Sequence, residues 1–234
     1  MNVEDSKTEG AEYRSREEVL EALEEKRDLS GADLSGLDLS GIKLFGVSMT
    51  GANLRDADLS GSLLVGLDAS AADLSSAQLT GTKIFATNME NSVLRAAQLK
   101  TARFMGVNLA GADLSDADLS GARIMGSNLA NSILQKAKLA TARVVRSSLK
   151  EADLTGADLT NSSLMRVDVT AADLTDVTLT GARAGHVDWE TAKAPPAELP
   201  DSLPTPPSWL PLLLLGVGVM ILVATLRKKT RQRS

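Results

Sequence analysis

The feature that most constrains this chain is an unbroken period of five residues. Every fifth residue from Leu29 to Trp189 is apolar, and most of these centres are leucine. The residue two positions before a centre is usually Ala, Ser, Thr or Val, and the residue just before it is most often Asp or Asn. Helices repeat apolar residues at three and four positions and strands at two, so neither element alone explains a period of five.

A period of five fits short extended segments of about three residues that are joined by corners. In each segment the centre and the residue two before it point inward, and the residue between them points outward. The next two residues turn the corner, which suits the frequent Gly, Ser, Thr, Asp and Asn found there. Stacked coils then pair their backbone groups with the coils above and below, so the pattern predicts an all-β solenoid.

Many of the five-residue units read Ala-Asp-Leu or Ala-Asn-Leu, as at Ala32–Leu34, Ala52–Leu54 and Ala112–Leu114. These units resemble the A(D/N)Lxx motif of the pentapeptide-repeat family, and the resemblance covers residues 27–192. It implies a right-handed quadrilateral β-helix with four units in each coil. About eight coils, at about 4.8 Å each, would form a rod about 40 Å long.

Four units per coil require a second period of 20 residues, and this period is present. On one face, a mostly basic residue precedes each centre and a bulky apolar residue follows it, whereas the other three faces carry mostly Asp, Asn and Ser. We predict that this face binds a partner; the alternative is that its Met and Val side chains only pack against neighbouring coils. The candidate residues are Lys43, Phe45, Lys83, Phe85, Arg103, Met105, Arg123, Met125, Arg143, Val145, Met165 and Arg183.

Two short segments precede the first coil. Residues 1–14 are polar and acidic and are predicted to be disordered. Residues 15–26 predict a short amphipathic helix that starts with a capping box of Ser15 and Glu18. We expect this helix to cover the open first coil, as capping units do in solenoids; a partner-binding helix is the alternative.

The apolar face of this predicted helix combines Val19, Leu20 and Leu23. At the other end of the repeats, Trp189 is far larger than the other centres, and we expect it to close the last coil.

The C-terminal region predicts a membrane anchor. A proline-rich, extended linker covers residues 193–208. Residues 209–226 carry no charge and, as a helix, would span about 27 Å, which suffices for a single-pass transmembrane helix. A basic tail follows at residues 227–234. The predicted anchor residues are Trp209, Leu212, Leu226, Arg227, Lys228 and Lys229.

The topology of this anchor has three interpretations. The basic tail favours a cytoplasmic C-terminus with the repeats outside. The N-terminal residues lack the basic start and apolar core of a signal peptide, so we expect a tail-anchored protein with its repeats in the cytoplasm. Alternatively, Leu203-Pro204-Thr205, the apolar run and the basic end resemble a degenerate surface-sorting signal, in which Pro206 and Pro207 replace the expected Thr-Gly pair.

The composition argues against catalysis. The chain has no cysteine, and its single histidine, His186, lies at an outward corner of the degenerate last repeats. No phosphate-binding loop, nucleophile motif or metal-ligand cluster is present. We therefore predict no enzymatic activity, catalytic residue, cofactor, metal or small-molecule substrate.

Two classes of binding function remain. The first is a membrane-anchored scaffold or adaptor, whose basic and apolar face meets a protein, a second copy of the chain or lipid headgroups. The second follows from the resemblance, which implies that acidic rods of this family can mimic DNA and modulate a type II topoisomerase. The predicted anchor and the basic face weigh against mimicry. Nucleic acid itself is not an expected partner, because the net charge is −5 even with the basic tail included.

Overall fold

The computed structural model describes residues 11–202, which form a parallel β-solenoid with one short N-terminal helix. We divide the repeats into eight coils of 20 residues, from coil 1 (residues 27–46) to coil 8 (residues 167–186). The predicted all-β solenoid is therefore confirmed. The right-handed sense that the family resemblance implies stays a prediction.

One side of the solenoid is a continuous parallel sheet of three-residue strands. Each of the first seven strands pairs in register with the strand 20 residues later. The strands are β1 Lys43–Phe45, β2 Leu63–Val65, β3 Lys83–Phe85, β4 Arg103–Met105, β5 Arg123–Met125, β6 Arg143–Val145, β7 Ser163–Met165 and β8 Arg183–Gly185. The other three sides pair through single bridges, such as Asp33 with Asn53, Asp38 with Asp58 and Ser48 with Asp68.

The core is a narrow stack of the two inward residues of each unit. In coil 4, for example, Ala102 is fully buried and Phe104 is 1% exposed. The described core runs from Val19 to Ala184 and lies within one compact unit that ends at Ser202.

The corners use left-handed backbone at the second residue after each centre. Gly121 has a φ of 68°, and non-glycine residues such as Thr101 and Glu151 adopt the same conformation. This conformation disfavours an L side chain by about 1–2 kcal/mol. It is retained because the corner N–H donates to the next coil, from Thr101 to the Ser120 carbonyl at 3.0 Å and from Glu151 to that of Thr170 at 2.8 Å.

Helix α1 (Arg16–Glu25) begins after the predicted cap, since the Ser15 hydroxyl accepts the Glu18 N–H at 3.3 Å. The Glu18 carboxylate accepts the Arg14 N–H rather than that of Ser15, so the capping box is only half formed. Val19 is buried and Leu23 is half-buried against the core. Leu20, predicted on the same face, is instead 40% exposed, because the residues that meet the first coil are centred on Val19.

Ala11–Tyr13 cover another part of coil 1. The Tyr13 N–H donates to the Asp33 carbonyl at 3.1 Å, and the Asp33 N–H donates to the Ala11 carbonyl at 2.8 Å. The prediction of disorder over residues 1–14 is thus wrong for these three, because the edge of coil 1 supplies backbone partners for an extended segment.

The C-terminal end of the solenoid is closed by the residues after coil 8. Trp189–Thr191 form a 3₁₀ helix, and Trp189 packs half-buried against the core. The Lys193 N–H then donates to the Ala172 carbonyl at 3.0 Å, and strand β9 (Asp201–Ser202) pairs in parallel with β8. The chain therefore stays hydrogen-bonded to the solenoid as far as Ser202, well into the segment predicted as a linker.

The remaining C-terminal predictions lie outside the described residues. These are the second part of the linker, the membrane span at 209–226, the basic tail, and with them Trp209, Leu212, Leu226, Arg227, Lys228 and Lys229. Within residues 11–202, no helix is both long enough and apolar enough to cross a bilayer.

Replacing Phe104 by Ala tests how far the coils depend on this narrow core. We expect Phe104→Ala to lower the free energy of unfolding by about 3–5 kcal/mol, because the neighbouring coils cannot collapse into the cavity. Phe85→Ala is the matched control: its side chain points outward from β3, so we expect a loss below about 1 kcal/mol. Urea denaturation measures both, and equal losses would contradict the assigned core.

Candidate partner-binding face

The strands β1–β8 carry every residue of the predicted partner-binding face. In each strand the middle residue is buried and the two flanking residues point outward. The register stacks these outward residues into two rows, which together we call the basic–apolar face. The basic row is Lys43, Leu63, Lys83, Arg103, Arg123, Arg143, Ser163 and Arg183, and the apolar row is Phe45, Val65, Phe85, Met105, Met125, Val145, Met165 and Gly185.

Exposure divides the apolar row. Met105, Phe45 and Met125 are 52%, 48% and 41% exposed. Val145 and Met165 are half-buried between their neighbours. Packing between coils therefore accounts for part of the row, whereas the most exposed side chains leave apolar surface in water.

The cations of the basic row differ from those of the other faces. None of them forms an ion pair with any residue in the described range. Elsewhere a cation just after a centre reaches an aspartate on the next coil, as in Arg55–Asp73 at 3.1 Å and Arg95–Asp113 at 2.5 Å. From Lys83 to Arg143 each cation of the basic row meets another cation in an adjacent coil, so Arg123 stacks between two other arginines.

The aspartates of the other faces are held by local contacts. The Asp68 carboxylate accepts the Ser70 hydroxyl at 2.7 Å, the Ser70 N–H at 3.1 Å and an Asn88 amide N–H at 3.1 Å. The hydrogen bonds from Ser70 hold the pKa of Asp68 below its ordinary value of 3.8, against a smaller effect of burial. Such contacts fix the corner geometry, so structure alone accounts for these aspartates.

Other candidate sites are few within residues 11–202. No group of three or more His, Asp or Glu side chains there is arranged to hold a metal ion. His186 is exposed on its corner. A cavity of about 300 Å³ lies between α1 and coil 1, lined by Leu20, Leu23, Arg27 and Phe45 among others. Sequence reasoning missed this cavity because it depends on how α1 sits on the coil.

These features define a parallel β-solenoid in which the basic row along one sheet forms no ion pair with residues 11–202. The family model for pentapeptide repeats matches the chain in eight copies, over residues 28–61, 52–91, 72–109, 102–140 and 142–181. The chain therefore belongs to the pentapeptide-repeat family.

Two solved structures illustrate the likeness. HetL, a pentapeptide-repeat protein involved in heterocyst differentiation regulation in the cyanobacterium Nostoc sp. strain PCC 7120, is 29% identical, with a TM-score of 0.55 over 74% of this chain and 80% of HetL. QnrB1, a plasmid-mediated fluoroquinolone resistance protein, is 17% identical, with a TM-score of 0.62 over 80% of this chain and 97% of QnrB1. The likeness to QnrB1 shows the fold alone. No curated protein matches the chain.

Relieving the like-charge row should stabilise the solenoid. We expect Arg123→Gln to raise the free energy of unfolding by about 0.2–1 kcal/mol at low salt, because it removes two stacked repulsions. Arg55→Gln, the matched control, should lower it by at most about 1 kcal/mol, since both side chains of its ion pair with Asp73 are partly exposed to solvent. Both differences should shrink in high salt; a loss of stability in Arg123→Gln would contradict the unpaired assignment.

Acid should weaken the solenoid through its hydrogen-bonded aspartates. A carboxyl whose pKa is lower in the folded state stabilises that state above its unfolded pKa, and this contribution is lost as the pH falls through the folded pKa. The pKa of Asp68 is lowered, so we expect a constant melting temperature near neutrality and a decline below about pH 4.

Asp68→Asn is the matched variant for this acid effect, because Asn88 occupies the same row and accepts an amide N–H of Asn108 at 3.1 Å. We expect this variant to lose less melting temperature than the parent between neutral and acidic pH. Identical declines would show that Asp68 does not contribute.

Proposed function

We propose that this chain is a non-enzymatic, membrane-anchored scaffold whose basic–apolar face binds a protein partner. The observation that carries the proposal is the row of cations that form no ion pair within residues 11–202, beside the exposed side chains of Phe45, Met105 and Met125. We expect the partner to present acidic side chains next to apolar ones, along a line parallel to the solenoid axis.

The energetics of the free face support this proposal. Like charges directly opposite in a sheet are destabilising, and methionine side chains left in water forgo their burial free energy. A partner with carboxylates would neutralise the basic row and cover the apolar row at the same time. Methionine, aromatic residues and arginine are also the residue types that interfaces favour.

Membrane anchoring rests on the sequence of residues 209–226, which contains no charge. We further propose that this segment is a tail anchor and that the solenoid lies in the cytoplasm. The opposite topology and the degenerate sorting signal are the alternatives, and both would move the partner to the cell exterior.

DNA mimicry is the less favoured alternative. A mimic needs a regular array of negative charge, whereas Val93 and Ile133 interrupt one acidic row and Lys138 interrupts another. Arg55 and Arg95 also neutralise aspartates within the acidic faces.

Charge reversal on the face tests the scaffold. The full-length protein carrying Arg103→Glu and Arg123→Glu should lose at least about tenfold in partner recovery, because attraction becomes repulsion at two central positions. Recovery is measured by cross-linking in cells followed by quantitative mass spectrometry.

The matched control carries Lys136→Glu and Lys138→Glu, which change the net charge equally at cations that make no ion pair within the described residues and lie off the face. We expect this control to recover the partner as the parent does. Equal recovery by both double variants, with unchanged melting temperatures, would reject the face as the binding surface. Recovery of only the chain itself would identify the partner as a second copy.

A further inference from the structure

The corner that follows the apolar row changes its chemistry along the solenoid. In the first five coils it carries Gly46, Gly66, Ala86, Gly106 and Gly126. In the last three it carries Arg146, Arg166 and His186, with φ values of 49°, 53° and 56°. Left-handed backbone is more favourable for glycine than for these side chains. The basic residues therefore occupy positions where the fold itself would prefer glycine.

These corner residues continue the basic row at one end of the rod. Together with Arg143 and Arg183 they form what we call the C-terminal basic cluster: Arg143, Arg146, Arg166, Arg183 and His186. None of its arginines forms an ion pair with any residue from 11 to 202. The apolar row weakens at this end, where it finishes in Gly185. Electrostatics therefore dominates this part of the surface.

At least three acids adjoin the cluster, and one of them, Asp201, pairs in register with Arg183. Asp168 and Asp188 line, with Arg166 and His186, a cavity of about 360 Å³. Their carboxylates accept backbone N–H groups, from Thr170 at 2.9 Å and from Glu190 at 3.2 Å. This mixed lining is a poor site for a small free anion, whereas the outward arginines suit an extended anionic surface.

The last described residues lie beside this cluster. Asp201 pairs in register with Arg183, and Ser202 is the last described residue. Six residues separate Ser202 from Trp209 in the sequence. An extended chain covers at most about 3.5 Å per residue, so the predicted membrane span begins within about 25 Å of chain length from Ser202.

We infer that the C-terminal basic cluster docks the solenoid onto an anionic phospholipid surface. The inference rests on the membrane anchoring in the proposed function. Of the cluster, only Arg143 and Arg183 also belong to the basic–apolar face. Each cation near an anionic bilayer raises partitioning by about fivefold. The chain is acidic overall, with a net charge of −5 that includes the basic tail, so such binding requires basic residues gathered in one place.

Vesicle co-sedimentation of residues 1–202 tests this inference without the predicted span. This fragment retains the compact unit that ends at Ser202 and its whole described core. We expect it to bind vesicles in which a third of the phosphatidylcholine is replaced by phosphatidylglycerol, and not vesicles of phosphatidylcholine alone. Arg146→Gly with Arg166→Gly should reduce the partition coefficient by about 25-fold, from about fivefold per cation.

Two comparisons show whether a change in vesicle binding comes from the position of the charges, from the loss of net charge or from a loss of folding. Glycine is the residue of the same corner in earlier coils, so the double variant should melt no lower than the parent. Lys136→Gly with Lys138→Gln is the control: it removes two cations elsewhere, at a left-handed corner and in a row that already contains Gln98. We expect it to change partitioning by less than about twofold.

Equal losses in the two double variants, absence of binding to the anionic vesicles, or equal binding to both vesicle types would each overturn the inference. If vesicle binding fails while reversal of Arg103 and Arg123 still abolishes partner recovery, the scaffold proposal stands and the membrane docking alone is rejected. Loss of both effects would reject both. A lysate protein that binds through Arg146 and Arg166 without any vesicle binding would assign the cluster to a protein partner instead.

Discussion

The structure depends on one repeated interaction, the backbone hydrogen bonds between each coil and the coil 20 residues away. The Leu54 N–H donates to the Asp73 carbonyl at 2.7 Å, and the Asp73 N–H donates to the Ala52 carbonyl at 2.9 Å. Since every side of the rod repeats this arrangement, any side chain is stacked on its counterparts in the next coils. Residues at the same position of successive coils therefore form a straight row. Charge differs between the faces of the solenoid rather than between pockets.

This regularity decides what the sequence can predict. Inward positions carry mostly small or aliphatic side chains, with Phe104 as an aromatic exception. The period of five, the solenoid and the two outward rows can therefore be predicted from the sequence. The ends break the period and are harder to predict. The helical period places Leu20 on the same apolar face as Val19. In the structure, however, Val19 packs on the first coil, and Leu20 remains 40% exposed. Ala11–Tyr13 and Asp201 pair with the solenoid because open coil edges accept any extended segment, which composition does not reveal.

The same stacking explains why charge on this rod carries information. Acids and bases on neighbouring rows neutralise each other where a cation follows the centre, as Arg95 does for Asp113. A cation placed just before the centre is instead aligned with the residue at the same position in the next coil, so repetition of arginine creates repulsion that the fold does not relieve. The fold needs no charge at these outward positions, as Leu63 and Ser163 demonstrate. The basic row is therefore better explained by an external anion than by stability.

The two ends of the basic–apolar face differ in a way that favours two kinds of anionic contact. Near its middle, Met105 and Met125 combine apolar area with adjacent arginines, and a protein surface of matching shape can cover both. Toward Arg146 and Arg166 the apolar area declines, and these two cations lie on a corner at an edge of the solenoid. A corner offers little area for a shaped interface but suits a broad charged plane, since electrostatic attraction to such a plane needs proximity rather than complementarity. Repetition supplies the rod, and the departures from it at the last three corners are the reason that we propose a different partner for its end than for its middle.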